Sequence, residues 1–219
     1  MPQTRTASPV GVTKQTAERL LLDAGAIYKN LKYDTEKKQW SGIALGATSG
    51  GNEFTSEMET REPEIDGIKS PIKGLVFVSS HNAQLVVNLK ELSAQNIKDA
   101  IAAADIEKNA IEGYDKIVPR ANIQLDDYLE NIAYVGRLSN NKKPVIIILK
   151  NAISVEGLEL STEDNNEATI PITFKAYNDF EDAMEEKAPY EIYWPQEDGG
   201  TPPDENGGGG TGQEGEETE

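Results

Sequence analysis

The strongest regularity in this chain is a period of two, and it fixes most of what the chain can fold into. Phe54, Ser56, Met58 and Thr60 fall on one side of an extended segment, while Glu53, Thr55, Glu57, Glu59 and Arg61 fall on the other. Leu85, Val87 and Leu89 alternate with Gln84, Val86, Asn88 and Lys90, and Ile170, Ile172 and Phe174 alternate with Thr169, Pro171, Thr173 and Lys175. Successive side chains of a strand point to opposite faces, so this pattern describes strands that bury one face. Residues 75–78 and 145–149 are continuous apolar runs, which predict strands covered on both faces. A further strand is expected over 153–160, broken at Gly157. Pro171 has no N–H for a ladder and predicts an edge or a bulge. A helical period is clear from Ser93 to Ala104, where Ile97, Ala100, Ile101 and Ala104 recur at helical spacing and Ser93 is a suitable cap. Short helical turns are expected over 179–186 and 126–131. The expected fold is mainly β with one flanking α-helix.

A chain of 219 residues buries one good core but hardly two, so one domain with appendages is expected: an arm over 1–16, a β domain over 17–195 and a tail over 196–219. The tail holds 8 acidic residues, no Lys or Arg and no apolar residue, and it contains Pro202-Pro203 and Gly207 to Gly210. Such a composition cannot offset its ordering entropy by burial, so disorder is expected there. In the arm, Pro9-Val10-Gly11-Val12 suits an extended segment that orders against a neighbouring subunit. The net charge of -17 argues against tight binding to duplex DNA or an anionic membrane, both of which require clustered cations. With no cysteine there is no disulfide or thiolate metal site, and no stretch has the roughly 18 apolar residues of a membrane span.

Sites for chemistry are sparse, and no catalytic residue, cofactor or metal is expected. His81 is the one histidine, set in Ser79-Ser80-His81-Asn82, which reads as a turn. Gly46-Ala47-Thr48-Ser49-Gly50-Gly51 is glycine-rich, but it lacks the Gly-Lys-Ser/Thr ending of a phosphate loop and leads into a β pattern rather than a helix. Glu163, Asp164, Asn165, Asn166 and Glu167 offer oxygen ligands without calcium-loop spacing; a polar hairpin tip accounts for them. Glu53, Glu57 and Glu59 sit at alternate strand positions, which describes an acidic face rather than an acid–base pair.

Several segments, taken in order, carry a resemblance. They are Leu22-Asp23-Ala24-Gly25-Ala26, the run Leu45 to Thr55, Glu64-Ile65-Asp66-Gly67 with Pro71-Ile72-Lys73-Gly74, Glu130 to Arg137, Lys150-Asn151-Ala152, and Pro189 to Pro195. Over roughly 16–195 the chain resembles the major tail (tail-tube) proteins of long-tailed, siphovirus-like phages of Gram-positive bacteria. The resemblance implies a β-sandwich or barrel similar to the tube protein of type VI secretion, in homo-hexameric rings stacked into a hollow tube that conducts DNA during ejection. It also implies a non-enzymatic role in the virion tail, synthesis in the host cytoplasm, and tape-measure, tail-terminator and distal-tail proteins as partners, with transient non-specific DNA passage and no membrane contact.

On that resemblance, Glu53, Glu57 and Glu59 are the lumen-facing candidates, since an acidic wall lets phosphate-rich DNA slide where a basic wall holds it. Gly46, Gly50, Gly51, Asp66, Gly67, Pro71 and Gly74 are candidates for a ring-stacking loop over 46–74. Val145, Ile146, Ile147 and Ile148 are candidates for a subunit boundary or a core strand. The tail beyond the shared pattern is expected to be a solvated spike outside the tube, the alternative being a linker to an immunoglobulin-like domain in a longer frameshift product. Competing readings are a type VI or extracellular contractile tube protein and a monomeric β-sandwich binding module.

Overall fold

The computed structural model describes residues 16, 20–139, 143–164 and 166–196. The expected arm up to residue 15 and the acidic tail beyond 196 lie outside the described residues. The elements are β1 (Leu21–Asp34), β2 (Gln39–Ala44), β3 (Thr48–Arg61), β4 (Phe77–Leu89), α1 (Ala94–Ile101), β5 (Ala104–Ile111), β6 (Tyr114–Pro119), β7 (Leu129–Leu138), β8 (Val145–Ser154), β9 (Ser161–Glu163), β10 (Asn166–Lys175), α2 (Phe180–Met184) and β11 (Tyr190–Tyr193). The chain is mainly β, as the alternation predicts.

All but β5 and β6 belong to one antiparallel path, β2-β1-β7-β8-β10-β4-β3, with β11 on β8 and β9 on β10. The path rolls over on itself. Phe54 of β3 meets the ring of Tyr190 in β11 edge-on at 5.5 Å, and Asn52 Nδ2 donates to the Ala24 carbonyl of β1 at 2.9 Å. The result is a front layer, β2-β1-β7-β8-β11, against a back layer of β3, β4 and β10. Strand β8 belongs to both. Its Val145–Ala152 stretch pairs with β7, its Ile146–Leu149 stretch with β11, and its end, Ile153 and Ser154, with β10. Asn151, at φ 42, marks the change of layer.

The core between the layers follows from the alternation. Leu85, Val87 and Leu89 of β4 and Ile170, Ile172 and Phe174 of β10 meet Ile27 of β1, Ile132 and Tyr134 of β7 and Leu149 of β8 in one buried cluster. Removing a side chain such as Phe174 from water contributes roughly 2–3 kcal/mol. Helix α1 adds Ala100 to this cluster. Its N-terminus is capped by Ser93, whose Oγ accepts from the Asn96 N–H at 3.1 Å. Opposite it, Lys29 of β1 is buried and pairs with Asp99 of α1 at 2.8 Å, and Asn96 Nδ2 donates to the Leu45 carbonyl at 2.9 Å.

Some expectations need correction. The turn placed at Ser79 to Asn82 is strand, because β3 extends to Arg61 and supplies partners for it, with Met58 opposite His81. The run 75–78 is not covered on both faces: Val76, Phe77 and Val78 are about half exposed, since the β3–β4 pair runs beyond the reach of the front layer. The helical turn expected over 126–131 is a 3-10 turn at Leu125–Asp127, and β7 begins at Leu129. The strand expected over 153–160 ends at Ser154 as the tail of β8. Helix α2 lies within 179–186, capped by Asp179, which accepts from the Asp182 N–H at 2.8 Å. Pro171 pairs with Asn88 of β4 and lies between the short ladders that β10 makes with β9 and β8.

Candidate assembly surfaces

The back layer presents a polar outer face. Because Phe54 lies opposite Leu85 and Leu85 opposite Phe174, that buried row fixes which neighbours point outward. Glu53 shares an outer row with Val86 and Thr173, Thr55 with Gln84 and Lys175, and Glu57 with Asn82. Glu59 lies opposite Ser80, whose Oγ donates to Glu59 Oε2 at 2.9 Å. Glu53, Glu57 and Glu59 are all solvent-exposed. The structure therefore brings the three glutamates onto one face of one strand. Beside them lie amides and hydroxyls, with Lys175 on the neighbouring β10.

β3 is also the end of the strand path. All 14 of its residues have one flank without a partner strand among the described residues. Free edges template pairing with another chain, and proteins that remain monomeric blunt them.

The ring-stacking candidates do not form one loop. Gly46 lies between β2 and β3, where a Cβ would stand 2.9 Å from the Glu91 side chain. Gly50 and Gly51 lie within β3, both at positive φ, where the register against β4 shifts between Thr48 and Asn52; they form a bulge that only glycine accommodates easily. Asp66, Gly67, Pro71 and Gly74 lie in the connection between β3 and β4. This correction has a simple cause: β3 begins inside the first glycine-rich stretch and runs on to Arg61 before the second. The β3–β4 connection carries Ile65, Ile68 and Ile72, all exposed, and its turns are closed by Ile68 N–H to Ile65 C=O and Leu75 N–H to Ile72 C=O, each 3.1 Å.

Val145, Ile146 and Ile148 are buried and Ile147 half-buried. With β7 on one flank and β11 on the other, this stretch is a core strand. Of the remaining residues weighed for chemistry, Glu163 ends β9 and Asn166 begins β10, as a hairpin tip requires, and Glu167 pairs with Lys90 at 3.0 Å. His81 is half-buried in β4.

The segments that carried the resemblance meet one another in space. Leu22 pairs with Arg137, and Arg137 forms an ion pair with Asp23 at 2.7 Å. A Cβ at either Gly25 or Gly136 would stand 2.4 Å from the Tyr134 side chain, so both glycines make room for that ring. Lys150 lies between Asp182 and Glu191, each at 3.0 Å, and its backbone N–H donates to the Pro189 carbonyl at 2.9 Å. The hydrogen bond to Glu191 is the main cause that raises the Lys150 pKa. The Tyr193 hydroxyl first, and Lys150 next, hold the Glu191 carboxyl low; Lys150 and then Lys187 do the same for Asp182. This clamp ties α2 and β11 to the centre of β8. Sequence reasoning missed it because its members, Lys150, Asp182 and Glu191, are far apart in the chain and have no common period.

No family model matches the chain, and no curated protein matches it. Among solved structures, it is similar to a chain in the virion of a native gene transfer agent particle, with 12% identity over 71% of this chain and 92% of that one and a TM-score of 0.34. A chain in the C6-symmetric tail of an empty gene transfer agent particle gives 12% identity over 71% and 92% and a TM-score of 0.35. One in the six-fold symmetrised baseplate of the anti-feeding prophage gives 13% identity over 70% and 88% and a TM-score of 0.37. Likenesses this distant carry no argument about the chain, whose own edges and faces must supply it.

Proposed function

We propose that this chain is a structural, non-enzymatic subunit of a phage tail tube, assembling into stacked six-fold rings around a lumen through which DNA leaves the particle. The observation that carries the reading is the edge of β3, which has no partner strand among the described residues, with an acidic and amide-rich face beside it. Pairing β3 of one copy with the opposite margin of the back layer in the next, formed by the end of β8 and by β9, is a head-to-tail contact. Such contacts close into a ring when the rotation between copies permits, and closure removes the free edge. The outer face of the back layer then becomes the wall of the lumen, where Glu53, Glu57 and Glu59 repel phosphates and leave DNA free to slide. The exposed β3–β4 connection, with Asp66, Gly67, Pro71 and Gly74, reaches beyond the core and suits contact with the next ring. Tape-measure, terminator and distal-tail proteins are the partners such a tube requires.

A proline scan over Glu53 to Glu57 tests the edge. Proline at a residue whose N–H points away from β4 keeps the monomer folded and removes a donor from the next copy. Negative-stain microscopy across a concentration series is expected to show rings or tubes for the parent and monomers for those variants. A parent that stays monomeric at all concentrations supports a β-sandwich binding module instead. Tubes formed regardless of proline position overturn the β3 contact.

A further inference from the structure

The outer face of the front layer holds a groove of about 700 Å³ that the tube reading does not use. Tyr33, Trp40 and Tyr193 line it as a row of rings, with centroids 5.2 Å apart for Tyr33–Trp40 and 4.9 Å for Trp40–Tyr193. Trp194 adds a further ring that is 61% exposed, and the charged residues of the lining are Lys38 and Lys143. Rings beside the exposed Lys38 suit an extended proline-containing segment that carries negative charge.

The chain itself contains such a segment close by. Pro195 lines the groove, and the described chain stops one residue later. Beyond it comes Pro202-Pro203-Asp204-Glu205, a proline pair followed at once by two carboxylates. Six residues of extended chain span roughly 20 Å, enough for the proline pair to fold back onto the rings beside Pro195. Proline pairs favour the polyproline II conformation, lose little entropy on docking and pack against aromatic rings. The carboxylates then fall within reach of Lys38, and the tether keeps their local concentration high.

We infer that the groove is a docking site for the chain's own C-terminal segment, with Pro202-Pro203 on the aromatic row and Asp204-Glu205 toward Lys38.

The test uses an intrinsic probe. The chain has 2 tryptophans, Trp40 and Trp194, and both line the groove, so tryptophan emission reports on its occupancy. Acrylamide quenching of dilute full-length protein is compared with that of a chain ending at Gln196 and of a full-length P202A/P203A/D204N/E205Q variant. The expected result is a quenching constant about twofold higher in both altered chains, because rings covered by the prolines become accessible. A peptide of residues 197–219 added to the shortened chain is expected to restore protection. Thermal unfolding within about 2 °C of the parent would establish that all three chains are folded alike. Equal quenching in all three overturns the inference. So does protection that depends on protein concentration, or that disappears on removing residues 1–15 instead, since either assigns the groove to a second copy.

Discussion

β3 and β4 are paired along their length, yet the two halves of the pair occupy different worlds. At one end Phe54, Leu85 and Phe174 form a continuous row, the last two with no exposed surface. At the other end Met58, Phe77 and Val78 are about half exposed, and no front-layer strand lies over them. The same alternation writes both halves. Apolar residues at alternate positions thus specify a strand and its faces, but not whether the chain itself supplies the cover. The difference assigns the first half to the stability of the subunit and leaves the second free for the contacts between subunits that the proposed function requires.

The largest expected effect lies in the closed half. Phe174→Ala removes a ring at the centre of the core, and chemical denaturation is expected to show a loss of about 3–5 kcal/mol. A loss under about 1 kcal/mol would mean that the layers are not packed as described.

Next comes the buried ion pair. Asp99→Ala strands the Lys29 ammonium and is expected to cost about 3 kcal/mol. The double variant Lys29→Met with Asp99→Ala should recover part of it, since no charge is then left unpaired. If the double variant is as unstable as the sum of the two single ones, the residues do not act as a pair.

The clamp around Lys150 should be revealed by pH rather than by a large change at neutrality. Asp182 and Glu191 have pKa values lowered from ordinary values of 3.8 and 4.5, so they bind protons less readily folded than unfolded. Their contribution is complete above the ordinary values and is lost as pH falls through the lowered ones. Lys150 is raised, so its contribution is present below its ordinary value of 10.5 and is lost as pH rises through the raised one. Melting temperature measured against pH is expected to fall on the acid side, and Lys150→Met to flatten that limb. An unchanged limb would place the acid sensitivity elsewhere.

The smallest effect on stability, and the sharpest test of the comparison, is expected in the open half. Val76→Ser with Phe77→Ser should change the unfolding free energy by no more than about 0.5 kcal/mol while abolishing, in the microscope, the stacked tubes that the proposed function expects. A substantial loss of stability would erase the distinction between the two halves.

Much of this was legible in the sequence. Where one face is buried and the strand is regular, as in β4 and β10, period two identifies both the element and its inward residues. β1 escaped that reading because Asp23, Gly25 and Asn30 adopt positive φ within it, and its ladders with β7 and β2 shift register. β5 and β6 form a separate hairpin with mostly exposed residues, so burial leaves little pattern there. The three glutamates could be placed on one face from spacing alone. That β3 is an edge could not, because strand order depends on which distant segments pair. The same holds for the aromatic groove, assembled from the β1–β2 hairpin, β7, β8, the end of β11 and the two residues after it.

The passage of β8 from one layer to the other has a mechanical consequence. A sandwich whose layers are joined only by side chains can shear along its middle when it is loaded, as a subunit of the proposed tube would be. Here one strand is hydrogen-bonded into both layers, with the turn at Asn151 as the joint, so tension on either layer reaches the other through covalent backbone. A subunit pulled along its strands should therefore hold as a unit and give way in one rupture event, not by peeling layer from layer.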